Sequence, residues 1–332
     1  MNYRLNNRYI FEGKIIMETG LHIGGGLPDP RTDSSVLRTI DGKPFIPGSS
    51  FKGAFRCAVE RIVPHMDKIK TCGFALESEY HCVTVNEDLK KEYAELKETK
   101  KCYVITQKIL DNLSEDIDSN FFIGKIFSKS RLEQILKNLK IEIDKINLIL
   151  DKCKLDWNNA TNLKYLDDNL CHTCKFFGSP YTAGRVFFSD LYLTDEISWI
   201  DKTEVRDGVV IDRDSERAVP HLKYDYEVVP AGISFDFSIT MENVSDYELG
   251  LVATGIQEFK NGMIPLGGIK SRGLGRCVLK DLNIKYIEFN SKESLKDYLL
   301  KGKDGMKKLE DDERFFSDKI AHLFSEDVNY IC

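Results

Sequence analysis

Cys171-His172-Thr173-Cys174 has the C-x2-C spacing that lets one turn present two thiolates to a tetrahedral zinc. Cys72 and Cys82 supply the best second pair, and a metal joining all four would tie shut the base of the long segment between them. Four ligands with no open position would make that zinc structural rather than catalytic. His81 and His172 are rival ligands for the third and fourth places, and a set of free thiols is the alternative to any metal. Cys57, Cys102, Cys153, Cys277 and Cys332 remain as free thiols, for nine cysteines in all. An odd count, in a chain with no signal-peptide pattern before its first strand, fits a reducing cytoplasm better than a disulfide framework.

A second chemistry is anion binding. Gly24, Gly25 and Gly26 follow an apolar run that ends in Ile23, which makes a tight loop whose backbone another chain can approach closely. A polar loop with Asp29, Arg31 and Asp33 comes next, then the strand-like run Val36-Leu37-Arg38 and the extended Lys43-Pro44-Phe45-Ile46-Pro47. Gly48-Ser49-Ser50 opens a helix, with serines where N-caps belong and Lys52 and Arg56 one turn apart on one face. Unpaired N–H groups at a helix start attract anions, so this segment suits a phosphodiester backbone; a merely structural turn is the competing reading. Neither a P-loop nor a dinucleotide fingerprint is present.

A second glycine-rich loop, Gly267–Arg276, is basic, with Lys270, Arg272 and Arg276 and no acid among them. Its alternative is a solvated turn. No histidine is placed convincingly as a general base, and His22, at a strand end, is expected to be packed. The acids near the first glycine loop are better candidates.

These groups sit on a chain of 332 residues, 42% hydrophobic and 30% charged, as expected of one large or two small globular domains. No apolar run approaches the ~20 residues a membrane span needs. Net charge is −6, which argues against indiscriminate nucleic-acid binding. Acids crowd into 77–98, 111–118 and 310–317, whereas acid-free basic clusters occupy Lys43–Arg56 and Lys270–Arg276. Local basic surface on an acidic protein is compatible with RNA held inside a larger complex.

The positioning elements follow from periodicity. Arg8–Thr19 alternates as a half-buried strand, and a helix over Ser49–Val63 stops at Pro64. Residues 65–170, without proline and nearly without glycine, predict a mostly helical insertion, with helical spacing over Phe121–Leu150. Arg185–Leu193 is a strand, and Glu204–Pro230 is a long hairpin around the polar Asp212–Arg217. Ile233–Met241 alternates strictly, Ser245–Phe259 is helical, and Cys277–Phe289 is a last strand before a charged helical tail. With the insertions removed the order is βαββαβ, that of an α+β ferredoxin-like (RRM-like) sheet with helices on one face.

LHIGGG, DSSVLR, GKPFIPGSSFKGAFR, CHTCKFFGSPYTAGRVFFSD, RDGVVIDRDSERA, YDYEVVPAGISFDF and GGIKSRGLGR, in that order, resemble the RAMP (repeat-associated mysterious protein) superfamily. More narrowly, they resemble the backbone subunit of type III CRISPR effector complexes. The likeness covers most of the chain outside residues 83–165 and the tail after about 287. It implies a modified ferredoxin-like palm over 1–64 and 175–289, a hairpin thumb over 204–230, a zinc-closed insertion over 65–174, and a tail over 290–332. Copies or paralogues would assemble with other effector subunits along a CRISPR RNA and capture complementary target RNA.

On that resemblance Gly24–Gly26, Gly48, Ser49, Ser50, Lys52 and Arg56 would hold guide phosphates. Gly268, Lys270, Arg272, Gly273, Gly275 and Arg276 would form a second guide contact. Val209, Val210 and Ile211 of the thumb could wedge between unstacked bases while Arg206, Arg213 and Arg217 meet phosphates; an ordinary hairpin packed on the palm is the alternative. The family cleaves target RNA through an aspartate after the glycines, with Mg²⁺ or Mn²⁺. Asp33 matches that position, and Asp29 is its local competitor. A backbone subunit without cutting activity, and a free-standing endoribonuclease maturing the guide precursor, are the rival functions.

Overall fold

Apolar residues at alternate positions put Phe11, Ile15 and Met17 on one side of strand β1, Asn7–Met17, and all three are fully buried. The computed structural model describes residues 4–25, 32–66, 69–73, 82–106, 109, 122–195, 199, 203–214 and 216–325. Helix α1, Gly48–Ile62, buries Phe51, Phe55 and Val59, spaced by four along one face. Its cap departs from the expectation. The N-cap residue is Pro47, and Ser49 and Ser50 lie exposed in the first turn without capping. Gly48 N–H instead donates to Asp190 Oδ1 at 2.7 Å, so an acid distant in sequence satisfies the helix start. A Cβ at Gly48 would come 2.4 Å from the Phe188 carbonyl oxygen, which is why no serine can occupy that position.

Lys70–Gly184 forms one compact unit, and Asn2–Ile69 with Arg185–Val328 forms the other. The first begins with α2, Glu87–Thr99, capped by the Asn86 side chain and ended by Lys100 in the left-handed region. Then come β2 (Lys101–Val104), β3 (Ile126–Phe127), α3 (Lys129–Asn138), α4 (Ile143–Cys153), β4 (Lys154–Asp156), α5 (Asn159–Asn169) and α6 (His172–Phe177). The described part of this stretch is mostly helical, as its composition implied, but it also carries a small sheet that periodicity did not reveal. Strands β3-β2-β4 make an antiparallel sheet. Side chains alternate across it. Cys102 and Ile126 join Leu89, Leu96 and Tyr165 in one core, whereas Tyr103 and Phe127 join Leu132, Leu136 and Ile149 in another. Helices thus pack on both of its faces, and the long helical period seen over Phe121–Leu150 is split by Lys140, at φ 58°.

The second unit resumes with β5 (Val186–Phe188), β6 (Tyr192–Leu193), the paired β7 (Glu204–Ile211) and β8 (Ala218–Val228), and β9 (Ser234–Glu242). Helix α7 (Asp246–Lys260), β10 (Cys277–Glu288), α8 (Lys292–Lys301), β11 (Lys307–Lys308) and α9 (Asp312–Phe324) complete it. Its sheet runs β11-β10-β1-β9-β5, with β6 also on β9 and every pairing antiparallel. The apolar face is filled by rings. Phe51 lies 5.1 Å from Phe259 and 5.9 Å from Phe237, and Phe55 lies 5.3 Å from Phe188. Gly255 lets α7 meet the Phe55 ring, since a Cβ there would be 2.3 Å from it.

The tail divides between the two faces: α9 joins the side that α1 and α7 cover, and α8 adds a helix on the other. Phe316 of α9 stacks on Phe11 at 6.4 Å. Ile10, next in sequence and therefore facing the other way, clusters with Ile287 and Met306, against which Tyr298 of α8 packs. No described helix is long and apolar enough to cross a membrane.

Candidate functional site

The two glycine loops meet around His22. Gly268 N–H donates to the His22 carbonyl at 2.8 Å, and Gly275 N–H to that of Gly20 at 2.8 Å. Both approaches need glycine nearby: a Cβ at Gly267 would lie 2.3 Å from the His22 oxygen, and one at Gly275 2.0 Å from that of Leu266. The His22 ring is buried, edge-on to Tyr226 with centroids 5.8 Å apart. Its Nδ1–H donates to the Glu227 carbonyl at 2.7 Å, which leaves Nε2 to accept from Ser34 Oγ at 3.3 Å. His22 is packed, as its strand-end position implied.

Asp33 lies on a segment stitched between the first glycine run and β8. On one side Gly25 N–H donates to the Ser35 carbonyl (2.9 Å) and Leu37 N–H to that of Ile23 (2.8 Å). On the other, Glu227 N–H donates to the Ser34 carbonyl at 2.9 Å. Asp33 N–H donates to Asp225 Oδ1 at 2.7 Å, and Asp225 N–H returns a bond to Asp33 Oδ2 at 3.1 Å. Asp33 is exposed, and its Oδ1 makes no hydrogen bond among the described residues. Asp29, Arg31 and Gly26 lie outside the described residues.

Glu227 is the hub of this segment. Its Oε2 accepts from Val36 N–H at 2.8 Å, and its Oε1 accepts from Arg38 at 2.7 Å and from the Thr203 hydroxyl. Burial alone would raise its carboxyl, but the bonds from Thr203, Val36 and Arg38 together hold it below the usual carboxylate range.

The expected basic contacts fall into two sets. Arg56 pairs with Glu60 (2.8 Å), Arg206 with Glu204 (2.9 Å) and Arg276 with Glu18 (2.7 Å). Arg272 bonds the Tyr224 hydroxyl and covers its ring at 5.7 Å from the centroid. Lys52, Lys270, Arg213 and Arg217 make no side-chain ion pair among the described residues. Lys52 is half-buried and held below the ordinary lysine range by that burial and by the Arg56 guanidinium, as expected of a cation that lacks its anion. In the hairpin, Val209, Val210 and Ile211 are exposed, at 50%, 44% and 59%, rather than packed beneath the strand.

In the other unit, Cys72, Cys82, Cys171 and Cys174 are all buried with their sulfurs within 4.8 Å of one another, and Cys72 Sγ lies 3.5 Å from Cys174 Sγ. A tetrahedral metal with bonds of about 2.3 Å needs sulfurs a little under 4 Å apart, so the donor set fits. Hydrogen bonds from Cys171 and Cys174 hold the Cys82 thiol low, while hydrogen bonding to Cys171, Cys72 and Cys82 pushes Cys174 up. Four thiols so close share their protons, and a divalent cation would replace them. His172 is turned elsewhere: its Nδ1 accepts Lys70 N–H at 2.9 Å, and burial lowers its pKa to about 4. His81 lies outside the described residues.

Sequence reasoning missed Asp190, Asp225 and Glu227. The last two alternate with Tyr224 and Tyr226 along β8, and acids at every second position of a strand with aromatic neighbours were the available signal.

These features belong to a recognised class. The sequence profile of the RAMP superfamily matches residues 14–278, and the chain is a member of that superfamily. Over 63 residues it is 46% identical to the CRISPR system Cms endoribonuclease Csm3 of Methanocaldococcus jannaschii. That similarity takes in 18% of this chain and spans a quarter (25%) of the relative's length.

Proposed function

We propose that this chain is a backbone subunit of a type III CRISPR ribonucleoprotein that holds CRISPR RNA and cuts complementary target RNA at Asp33. The observation that carries the reading is the junction around His22, where both glycine loops and the Asp33 segment share one hydrogen-bonded frame with the root of the hairpin. The strand order β10-β1-β9-β5, with α1 and α7 as crossovers, is that of a ferredoxin-like palm, and β7–β8 is its thumb. Exposed Val209, Val210 and Ile211 suit a wedge between bases, and Lys52 and Lys270 suit guide phosphates. Zinc at the four cysteines closes the insertion unit.

The chemistry needs little from the protein. The substrate's 2′-hydroxyl oxygen bonds to the adjacent phosphorus as the 5′-oxygen leaves, and the hydroxyl proton passes to a base. Asp33, exposed and with an oxygen unengaged among the described residues, accepts that proton or holds the strand for in-line attack. Mg²⁺ or Mn²⁺ suits carboxylate oxygen ligands and would stabilise the developing charge. The relative from M. jannaschii carries endoribonuclease in its name, which supports the cutting role.

The test is the native complex with its RNA sequenced and its cleavage assayed. Guide RNA within a multi-subunit particle, with target cleavage lost in Asp33→Ala and target binding retained, is the expected result. Cleavage undiminished in Asp33→Ala would move the activity to Asp29 or to another subunit.

A further inference from the structure

We infer that Asp225 is a positioning residue for Asp33, so that strand β8 of the hairpin sets the geometry of the cutting carboxylate; this rests on Asp33 being that carboxylate. The two residues are 192 positions apart, yet each donates its backbone N–H to the other's carboxylate. Two neighbouring carboxylates repel, so the arrangement persists only because each is stabilised by a charge-assisted hydrogen bond. Exposed aspartates otherwise distribute among staggered rotamers. Asp33 is instead held through one oxygen, with the other making no bond among the described residues.

The neighbouring contacts do not duplicate this function. Thr32 Oγ1 bonds the Ser34 carbonyl and accepts Ser34 N–H, and Ser34 and Val36 are bound to Glu227. Those bonds fix the backbone after residue 33. Asp225 alone, among the described residues, bonds Asp33 itself. Because β8 is the returning strand of the hairpin, any displacement of that strand on duplex binding is transmitted to Asp33 directly.

The roles of the two atoms can be separated. Asp225→Ala removes the acceptor for Asp33 N–H but keeps the backbone donor, whereas Asp225→Asn keeps an oxygen acceptor and removes the charge. In the reconstituted complex at saturating target RNA with Mg²⁺, Asp225→Ala should slow single-turnover cleavage on the order of ten- to a hundredfold. Target affinity should stay at the parent value, and Asp225→Asn should recover most of the rate. Parent-like cutting by Asp225→Ala would overturn the inference. So would an Asp225→Asn complex as slow as Asp225→Ala, since the charge itself would then be acting, or lost target binding, which would make the residue structural. Asp33→Ala, run alongside, separates the two levels: if it still cuts, the reading of Asp33 fails and takes this inference with it.

Discussion

Arg56 Nε lies 2.8 Å from Glu60 Oε1 one turn along α1, and the two side chains are only 12% and 10% exposed. A guanidinium so placed already has its counter-charge, whereas Lys52 on the same face has none among the described residues. The two basic residues of this helix should therefore separate by experiment. Lys52→Glu, with Lys270→Glu as its partner in the second loop, should weaken guide binding equally across sequences. Each lost phosphate contact should flatten the log–log salt dependence by ~0.7. Arg56→Ala should cost about 1–3 kcal/mol of stability by stranding Glu60, with a smaller effect on that slope. Filter binding over a salt series, read beside thermal melts, checks both.

Zinc analysis of the purified chain should find about one metal ion bound at the four cysteines. Cys174→Ser should release it and lower the melting temperature, and a chelator should reproduce that loss in the parent protein. A chain without metal that melts as the zinc-loaded one does would rule the site out.

Glu227 gives stability a defined pH dependence. Its carboxyl is lower in the folded protein than the usual ~4.3, so its contribution is full above that value. As pH falls through the depressed folded value, the contribution is lost. Glu227→Gln should accordingly melt below the parent at neutral pH, and the two curves should converge in acid. A constant gap across the series would assign the effect to shape rather than charge.

Replacing Val209, Val210 and Ile211 together by serine should leave the melting temperature of the complex-free chain nearly unchanged, since all three are exposed. Target cleavage in the assembled complex should nonetheless fall at least tenfold, because serine cannot hold unstacked bases apart. Cleavage gels with a matched binding assay provide the readout.

Much of the sheet was legible in the sequence, for a physical reason. Ile233–Met241 alternates without interruption, and β9 forms there as Ser234–Glu242; Leu249, Leu251, Val252, Ile256 and Phe259 likewise mark α7. The insertion's sheet was not legible, because β3 has two residues and β4 three, too few for a period to register. Cysteine spacing pointed to the four-sulfur group, whereas the alternation of Asp225 and Glu227 along β8 could mark a face but not name a partner. The partner of Asp225 is remote in sequence, and only the register of β8 against the Asp33 segment makes them neighbours. Capping of α1 by Asp190 was hidden for the same reason: local sequence offers two serines, and the fold chooses an acid 142 positions away.

The central strand of the larger sheet has a consequence for biogenesis. Strand β1 leaves the ribosome well before its neighbours β9 and β10, which begin at Ser234 and Cys277, and its first residue, Asn7, pairs with Glu288. Both edges of an apolar strand therefore stay unpaired while the whole insertion and the hairpin are synthesised. The nascent chain is most open to aggregation over that interval. Slow elongation after β10, or a chaperone that shields Phe11 and Ile15, would raise the yield of folded chain more than any change made to the insertion.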